Sequence, residues 1–131
     1  MRHNMIAEIR SGDMKGLSKL KVLDLSQNNI ENISKIVKHC YELTELYLIG
    51  NKITELPEKF YANLNKLQQL HLSGNPITEL SADIRKLSDL KVLGISFTKI
   101  QQLNRSITEL EHLTRLLVEN TPLVVLNQSN L

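Results

Sequence analysis

Aliphatic residues recur along the chain in a fixed pattern, L-x-x-L-x-L, at intervals of 23 or 24 residues. The pattern begins at Leu20, Leu43, Leu67, Leu90 and Leu113. Every copy keeps aliphatic residues at its positions 1, 4, 6, 11 and 14. A repeat at this interval predicts a stacked array of such units, because a single unit cannot bury its own apolar stripe.

The five copies read "LKVLDLSQNNIENI", "LTELYLIGNKITEL", "LQQLHLSGNPITEL", "LKVLGISFTKIQQL" and "LTRLLVENTPLVVL". They resemble the leucine-rich repeat family, whose interval is about 20–29 residues. The intracellular 23-residue type, as found in bacterial proteins and effectors, is the most similar. The resemblance implies an α/β fold: a right-handed curved solenoid with parallel strands on the concave face and short helical or 3-10 segments on the convex face.

The chain is predicted to form one leucine-rich repeat domain, residues 1–131, with a partial repeat at 1–19. The partial repeat is indicated by "NMIAEI", which matches "NNIENI" one unit later. Two interpretations stay open: a fragment of a longer solenoid, or a small protein in which residues 1–19 form a cap. Val124 and Val125 predict either a final turn that folds over the open C-terminal end or a contact with a next domain or a second chain. Open ends expose core, so self-association through them is a further expectation.

Position 9 carries asparagine in the first copies and threonine in the last two. The predicted structural ladder consists of Asn4, Asn28, Asn51, Asn75, Thr98 and Thr121. An amide side chain both donates and accepts hydrogen bonds, so it can satisfy buried backbone groups of its own turn and of the adjacent one. The resemblance identifies this row as the family's asparagine ladder. Threonine offers one hydroxyl, so the last two members should weaken the ladder without breaking it.

The segments that connect the strands have helical spacing. In "SADIRKLSDL", Ser81 is the predicted N-cap of a short helix, and Ile84 and Leu87 lie on one face. Cys40 aligns with Leu87 of that segment, which predicts a buried, unreactive thiol. Because Cys40 is the only cysteine, neither an internal disulfide nor a cysteine zinc cluster is available. This usage is typical of a reducing compartment.

Side chains alternate along a strand, so positions 3, 5 and 7 are predicted to face the concave surface, with positions 8 and 10 on its border. The predicted partner-binding residues are Tyr47, Ile49, His71, Val92, Phe97, Arg115, Leu117 and Glu119. Aromatic anchors inside a charged rim are typical of protein-binding surfaces. Gly94 is expected to leave a dip in this patch. The alternative interpretation is that these are ordinary solvent-facing strand residues without a partner.

Composition argues against other classes of function. The chain has 16 basic and 14 acidic residues, a net charge of +2, which is too balanced to indicate nucleic-acid binding. No stretch approaches the roughly 18 apolar residues of a membrane span. His71 is the only histidine predicted on the concave face, and Ser73 near it lacks an orienting acid and an oxyanion-hole sequence. We therefore expect no catalysis, no cofactor and no metal.

The sequence thus predicts a non-catalytic module that binds a protein or peptide on its concave face. We expect it in the cytoplasm, or delivered into a host cell if it is a bacterial effector. The alternative is a structural or sensor segment of a larger signalling or effector protein whose active module lies outside this chain.

Overall fold

The computed structural model describes residues 16–123. Five parallel strands form one sheet in chain order. They are β1 (Val22–Asp24), β2 (Glu45–Tyr47), β3 (Gln69–His71), β4 (Val92–Gly94) and β5 (Arg115–Leu117). Equal repeat positions lie side by side: Leu23 pairs with Leu46, and Leu46 pairs with Leu70. The register predicted from the leucine pattern is confirmed, and so is the solenoid.

Short helices return the chain from each strand to the next. They are α1 (Ser34–His39), α2 (Phe60–Asn63) and two 3-10 helices, Ala82–Lys86 and Arg105–Glu109. Ser81 caps the first 3-10 helix as predicted, because its Oγ accepts a hydrogen bond from Asp83 N at 3.0 Å. Asn104 caps the second in the same way, at 2.9 Å from Ser106 N. The N-cap residue of α1 is Ile33, whose side chain forms no capping hydrogen bond; the preceding residue, Asn32, accepts from Ser34 N through its Oδ1 at 2.8 Å.

Aliphatic rows fill the space between the sheet and the return helices. Leu46, Leu70 and Leu93 at position 4 are fully buried. Cys40 is also fully buried, as predicted, and this burial raises the pKa of its thiol. Leu116, at the same position of the fifth repeat, does not continue this buried row, because it is 37% exposed. Leu116 lies on β5, the outer strand of the described sheet, so no further described strand covers it.

Several predictions fall on residues that the structure does not describe. They are the partial repeat before residue 16, with Asn4 in the ladder, and the terminal turn at Val124 and Val125. These stay predictions.

Candidate functional site

The asparagine ladder joins adjacent repeats at the turn that follows each strand. Asn75 Nδ2 donates to Leu72 O in its own repeat at 2.9 Å and to Leu48 O in the preceding repeat at 2.8 Å. Its Oδ1 accepts from Ile53 N at 3.0 Å. Asn51 repeats this arrangement one unit earlier. The predicted role of these buried amides is confirmed.

The two threonines of the ladder form fewer bonds. Thr98 Oγ1 donates to Ile95 O at 2.7 Å, and Thr121 Oγ1 donates to Val118 O at 3.0 Å. Within residues 16–123, each of these bonds stays inside its own repeat. The hydroxyl therefore does not replace the hydrogen bond that Asn51 and Asn75 each donate to the preceding repeat. The sequence predicted this weakening of the ladder at its two threonines.

A second ladder, of serine side chains at position 7, was not predicted from the sequence. Ser26 Oγ accepts from Ile49 N at 3.1 Å, Ser73 Oγ from Ser96 N at 3.0 Å, and Ser96 Oγ from Glu119 N at 2.9 Å. Ser26 and Ser96 are consequently buried, so position 7 does not uniformly present a side chain to solvent. Simple alternation along the strand was wrong at these two residues. The recurrence of serine at position 7 was the available signal.

The backbone is left-handed at position 8 of all five repeats. The residues are Gln27, Gly50, Gly74, Phe97 and Asn120, with φ angles between 50° and 74°. Glycine adopts this conformation without a steric penalty, and asparagine tolerates it. At Gly74 the close approach matters as well, because a Cβ there would lie 3.2 Å from Gly50 N. Phenylalanine is the least suited residue in the row.

Phe97 is both conformationally strained and exposed. Its φ is 56°, and a bulky side chain at such an angle costs about 1–2 kcal/mol. The hydrogen bond from Phe97 N to Glu119 O, at 2.8 Å, helps to hold the turn in place. The side chain is 59% exposed, the largest fraction among the exposed large apolar residues of the described chain. The predicted position of Phe97 at the border, outside the core, is confirmed.

Tyr47 and His71 form a stacked pair on adjacent strands. Their ring centroids lie 4.7 Å apart, and their planes differ by 8°. Tyr47 Oη donates to Glu45 Oε1 at 2.6 Å, and His71 Nε2 lies 3.1 Å from Gln69 Oε1. These hydrogen bonds fix both rings on the concave face, so the sequence prediction that they are direct neighbours is confirmed.

The surroundings of the pair shift the pKa of each ring. Glu45, as the acceptor of the hydroxyl proton, is the main reason that the pKa of Tyr47 rises to about 12. Burial lowers the pKa of His71, opposed by the charges of Glu45 and Asp24 and reinforced by that of Arg115. Both rings are therefore neutral near pH 7, and the tyrosine hydroxyl keeps the hydrogen that it donates to Glu45.

The predicted dip at Gly94 is filled. Gly94 is buried, and a Cβ at this residue would lie 3.2 Å from His71 Nδ1 and 3.3 Å from Ser73 Oγ. The neighbouring strand therefore occupies the space that the missing side chain leaves. The glycine allows the imidazole to settle against the sheet, and the prediction of an open depression was wrong.

The other predicted partner-binding residues are all at least partly accessible. Ile49, Val92 and Leu117 are partly buried, and Arg115 and Glu119 are exposed. Leu117 lies in the same row across the sheet as Tyr47 and His71, and Gly94 lies between His71 and Leu117. Phe97 lies two strands from β2, about 10 Å away at the usual strand spacing. The patch is a shallow, mixed surface.

A stability difference with pH is expected from His71. Its pKa in the folded chain lies below the ordinary value of 6.5, so the unfolded chain binds more protons between these two values. Stability should fall as the pH drops through about 6.5, and this effect ends below the folded-state pKa. His71→Phe keeps a ring against Tyr47 but does not titrate. Urea unfolding midpoints should therefore decline less for this variant between about pH 7.5 and pH 5.5.

The carboxyl group with the most strongly lowered pKa titrates below this pH interval. Hydrogen bonds from Lys21 and Lys66 lower the pKa of Glu42 to about 2. Equal declines of wild type and His71→Phe would contradict the expectation that His71 is responsible.

The histidine and the serine of this face each have their own hydrogen-bond partner. Ser73 Oγ accepts from Ser96 N, and His71 Nε2 is directed to Gln69, so the two side chains serve different partners. No group of three or more metal-ligating side chains occurs within residues 16–123. In the same range no helix is both long and apolar enough to cross a bilayer.

A parallel sheet of repeated strands, an asparagine ladder and short return helices define a leucine-rich repeat solenoid. The family model described as "Leucine Rich repeats (2 copies)" matches residues 18–65 and 41–86, and the model "Leucine rich repeat" matches 65–123. The chain belongs to the leucine-rich repeat family. Domains of this family are in general non-catalytic modules of protein interaction.

Related proteins come from animals and bacteria. The chain is 32% identical to fibromodulin from Bos taurus over 115 residues, which are 86% of this chain and 30% of fibromodulin. It is 47% identical to opticin from Bos taurus over 57 residues, 43% of this chain and 18% of opticin. The solved structure of a leucine-rich repeat protein from Leptospira interrogans has 32% identity and a TM-score of 0.85, over 93% of this chain and 31% of that one.

An internalin from Listeria monocytogenes has the same fold, with a TM-score of 0.78 and 23% identity. It is matched over 92% of this chain and 34% of its own length. The chain therefore spans about a third or less of these four proteins.

Proposed function

We propose that this chain binds a protein or peptide on its concave face. The observation that carries the proposal is Phe97, an aromatic side chain that is 59% exposed and held at a φ of 56°. Strained residues of this kind tend to occur at binding and active sites. Glycine at the same position of the second and third repeats shows that the turn itself does not require a large side chain.

The rest of the patch supports a protein partner. The Tyr47–His71 stack offers a preorganised aromatic surface, and preorganised aromatic anchors contribute most of the binding energy at many interfaces. Arg115 and Glu119 provide exposed charges at one side. Five strands at about 4.8 Å spacing span about 20 Å, enough for a peptide or for one edge of a globular domain.

Two broader proposals concern the setting of this module. Because the matched proteins are longer than this chain, we infer that it can serve as the recognition segment of a larger signalling or effector protein. The length of the native open reading frame tests this. A cytoplasmic location is proposed on the basis of the single buried thiol, and fractionation of source cells tests it.

Removal of the aromatic anchors should abolish most of the affinity. We expect the Tyr47→Ala, Phe97→Ala double variant to lose at least about 2 kcal/mol of binding free energy, roughly thirtyfold in Kd. Affinity capture from a lysate of the source organism identifies the partner, and calorimetric titration of the purified partner gives the affinities.

The matched control is Tyr41→Ala. Tyr41 is 50% exposed, similar to Phe97, but it lies in the turn after α1 and outside the concave face. The Tyr41→Ala variant should bind the partner with the same affinity as the wild type. Unchanged affinity of the double variant, with its fold intact by circular dichroism, would place the binding surface elsewhere.

A further inference from the structure

The fifth repeat leaves part of the apolar core uncovered. Leucine at position 4 is fully buried in the second, third and fourth repeats, but Leu116 at this position of the fifth is exposed. Leu113 and Val118, at positions 1 and 6, are only partly buried, whereas their counterparts in the same three repeats are fully buried. The first repeat differs, because Leu23 and Leu25 at its positions 4 and 6 are buried. Within the described sheet, the apolar end that remains accessible is therefore the one beside β5.

The backbone of β5 has a free edge on the same side. Ile95 N donates to Leu117 O, and Arg115 N donates to Lys91 O, so these backbone groups of β5 face β4. Backbone groups of successive residues in a strand point to opposite sides, and β5 is the outer strand of the described sheet. The N–H and the C=O of Leu116 therefore point outward, away from β4.

The other repeats show which further groups a neighbouring strand uses. Between every two successive described repeats, the carbonyl at position 2 and the amides at positions 6 and 8 form hydrogen bonds to the next repeat. In the fifth repeat these groups are Thr114 O, Val118 N and Asn120 N. None of the three forms a backbone hydrogen bond within residues 16–123. Together with both groups of Leu116, they form an edge that is ready to pair with another strand.

The charged side chains of this edge are complementary to one another. Arg115 and Glu119 are both exposed, and Leu117 lies midway between them in the sequence. Neither of the two forms an ion pair within the described part of the chain. When two such strands pair antiparallel about Leu117, Arg115 of each lies directly opposite Glu119 of the other. Opposite charges at directly opposed residues stabilise an antiparallel pair.

We propose that two copies of this chain pair through the outer edges of their β5 strands, antiparallel and with Leu117 on the two-fold axis. In this register, the N–H and C=O of Leu116 pair with those of Val118 in the second copy. Asn120 N faces Thr114 O of the second copy, so every outward group obtains a partner. Leu116 also packs against Val118 of the second copy, which covers the apolar ends of both cores. An edge that pairs with itself closes the assembly at a dimer.

This arrangement fits better than a head-to-tail stack of β5 on β1. Leu23 and Leu25 are already buried, so a strand placed on β1 would gain little apolar contact from them. Val118 O accepts from Thr121 Oγ1 at 3.0 Å, and a carbonyl oxygen can accept the second hydrogen bond that the antiparallel pair requires.

The dimer does not rest on the proposed function, although Arg115, Leu117 and Glu119 lie at the boundary of both surfaces. Its consequence for that function is geometric, because the two sheets would join edge to edge into one continuous sheet.

Sedimentation velocity of the full chain tests the dimer. A short edge strand buries little surface, so we expect weak association with a Kd on the order of 10–100 μM. Samples between about 1 μM and about 1 mM cover the transition. Amide hydrogen exchange of Leu116 and Val118 should slow severalfold at the highest concentration, whereas that of Val22 on β1 should not change.

Charge reversal tests the register. Arg115→Glu and Glu119→Arg each place like charges opposite one another at both ends of the pairing, and each should weaken the dimer at least about tenfold. The double variant Arg115→Glu, Glu119→Arg restores opposite charges and should dimerise within about threefold of wild type. Arg105→Glu makes the same change at an exposed residue of the second 3-10 helix and should have no effect. Amide spectra of each variant confirm its fold.

A monomer over the whole concentration range would overturn the proposal. A dimer that tolerates both single charge reversals would also overturn it, because its interface would lie elsewhere. Slowed exchange at Val22 in place of Leu116 and Val118 would indicate a head-to-tail stack and would equally contradict it. The Tyr47→Ala, Phe97→Ala variant substitutes no residue of this edge, so loss of the dimer and loss of a concave-face partner are separate results.

Discussion

Asn75→Ala is expected to lower the free energy of unfolding by about 3–5 kcal/mol. The side chain is 1% exposed and holds together two repeats. Alanine would remove the donors to Leu48 O and Leu72 O and the acceptor for Ile53 N, each at 3.0 Å or less. Buried polar groups that lose their partners cost about 1–3 kcal/mol each. Urea denaturation followed by circular dichroism measures the change.

Two comparison variants make this expectation specific. Asn65→Ala makes the same substitution at an exposed turn residue and should change stability by no more than about 0.5 kcal/mol. Thr98→Asn should add about 1 kcal/mol, because an amide at this site can form the bridge to the preceding repeat that the hydroxyl does not. A loss below about 1 kcal/mol for Asn75→Ala would mean that water replaces the ladder bonds at little cost.

The repeat pattern determines the register of the sheet, and this is why the fold could be predicted from the sequence. Each aliphatic position of a strand must face the core, since a register shift by one residue would turn every leucine outward. The ladder asparagines were equally predictable, because a buried turn needs a donor and an acceptor at the same place. Leu116 shows the limit of this reasoning: the pattern assigns a position to a residue, but burial also depends on what packs next to it.

The details of the candidate site depended on neighbours that a pattern does not reveal. The sequence predicted an open space beside Gly94, but the His71 ring from the adjacent strand fills it. Position 7 was assigned to solvent by alternation, but Ser26 and Ser96 turn to accept backbone hydrogens of the next repeat. In the sequence, only the two glycines at position 8 indicated a left-handed backbone. The same conformation occurs at Phe97 in the fourth copy, where the residue type does not predict it.

Phe60→Ala is expected to cost about 3–5 kcal/mol of stability. The ring is fully buried in α2 and packs edge-on against Tyr61, with centroids 5.3 Å apart and planes at 81°. Removal leaves a cavity beneath the return segment, and the surrounding leucines can close it only in part. Thermal and urea unfolding should both report the loss. A loss near 1 kcal/mol would indicate that this part of the solenoid collapses easily around smaller side chains.

Phe97→Gly provides the contrast, because the chain contains only these two phenylalanines. Glycine relieves about 1–2 kcal/mol of backbone strain at a φ of 56°, and its greater freedom in the unfolded chain offsets about 0.5–1 kcal/mol of this gain. Stability should therefore stay within about 1 kcal/mol of wild type, on the stabilising side, while affinity for the concave-face partner falls. A substitution that harms binding and spares the fold would separate the two proposed roles: Phe60 would maintain the solenoid, whereas Phe97, held in a strained turn, would contact the partner.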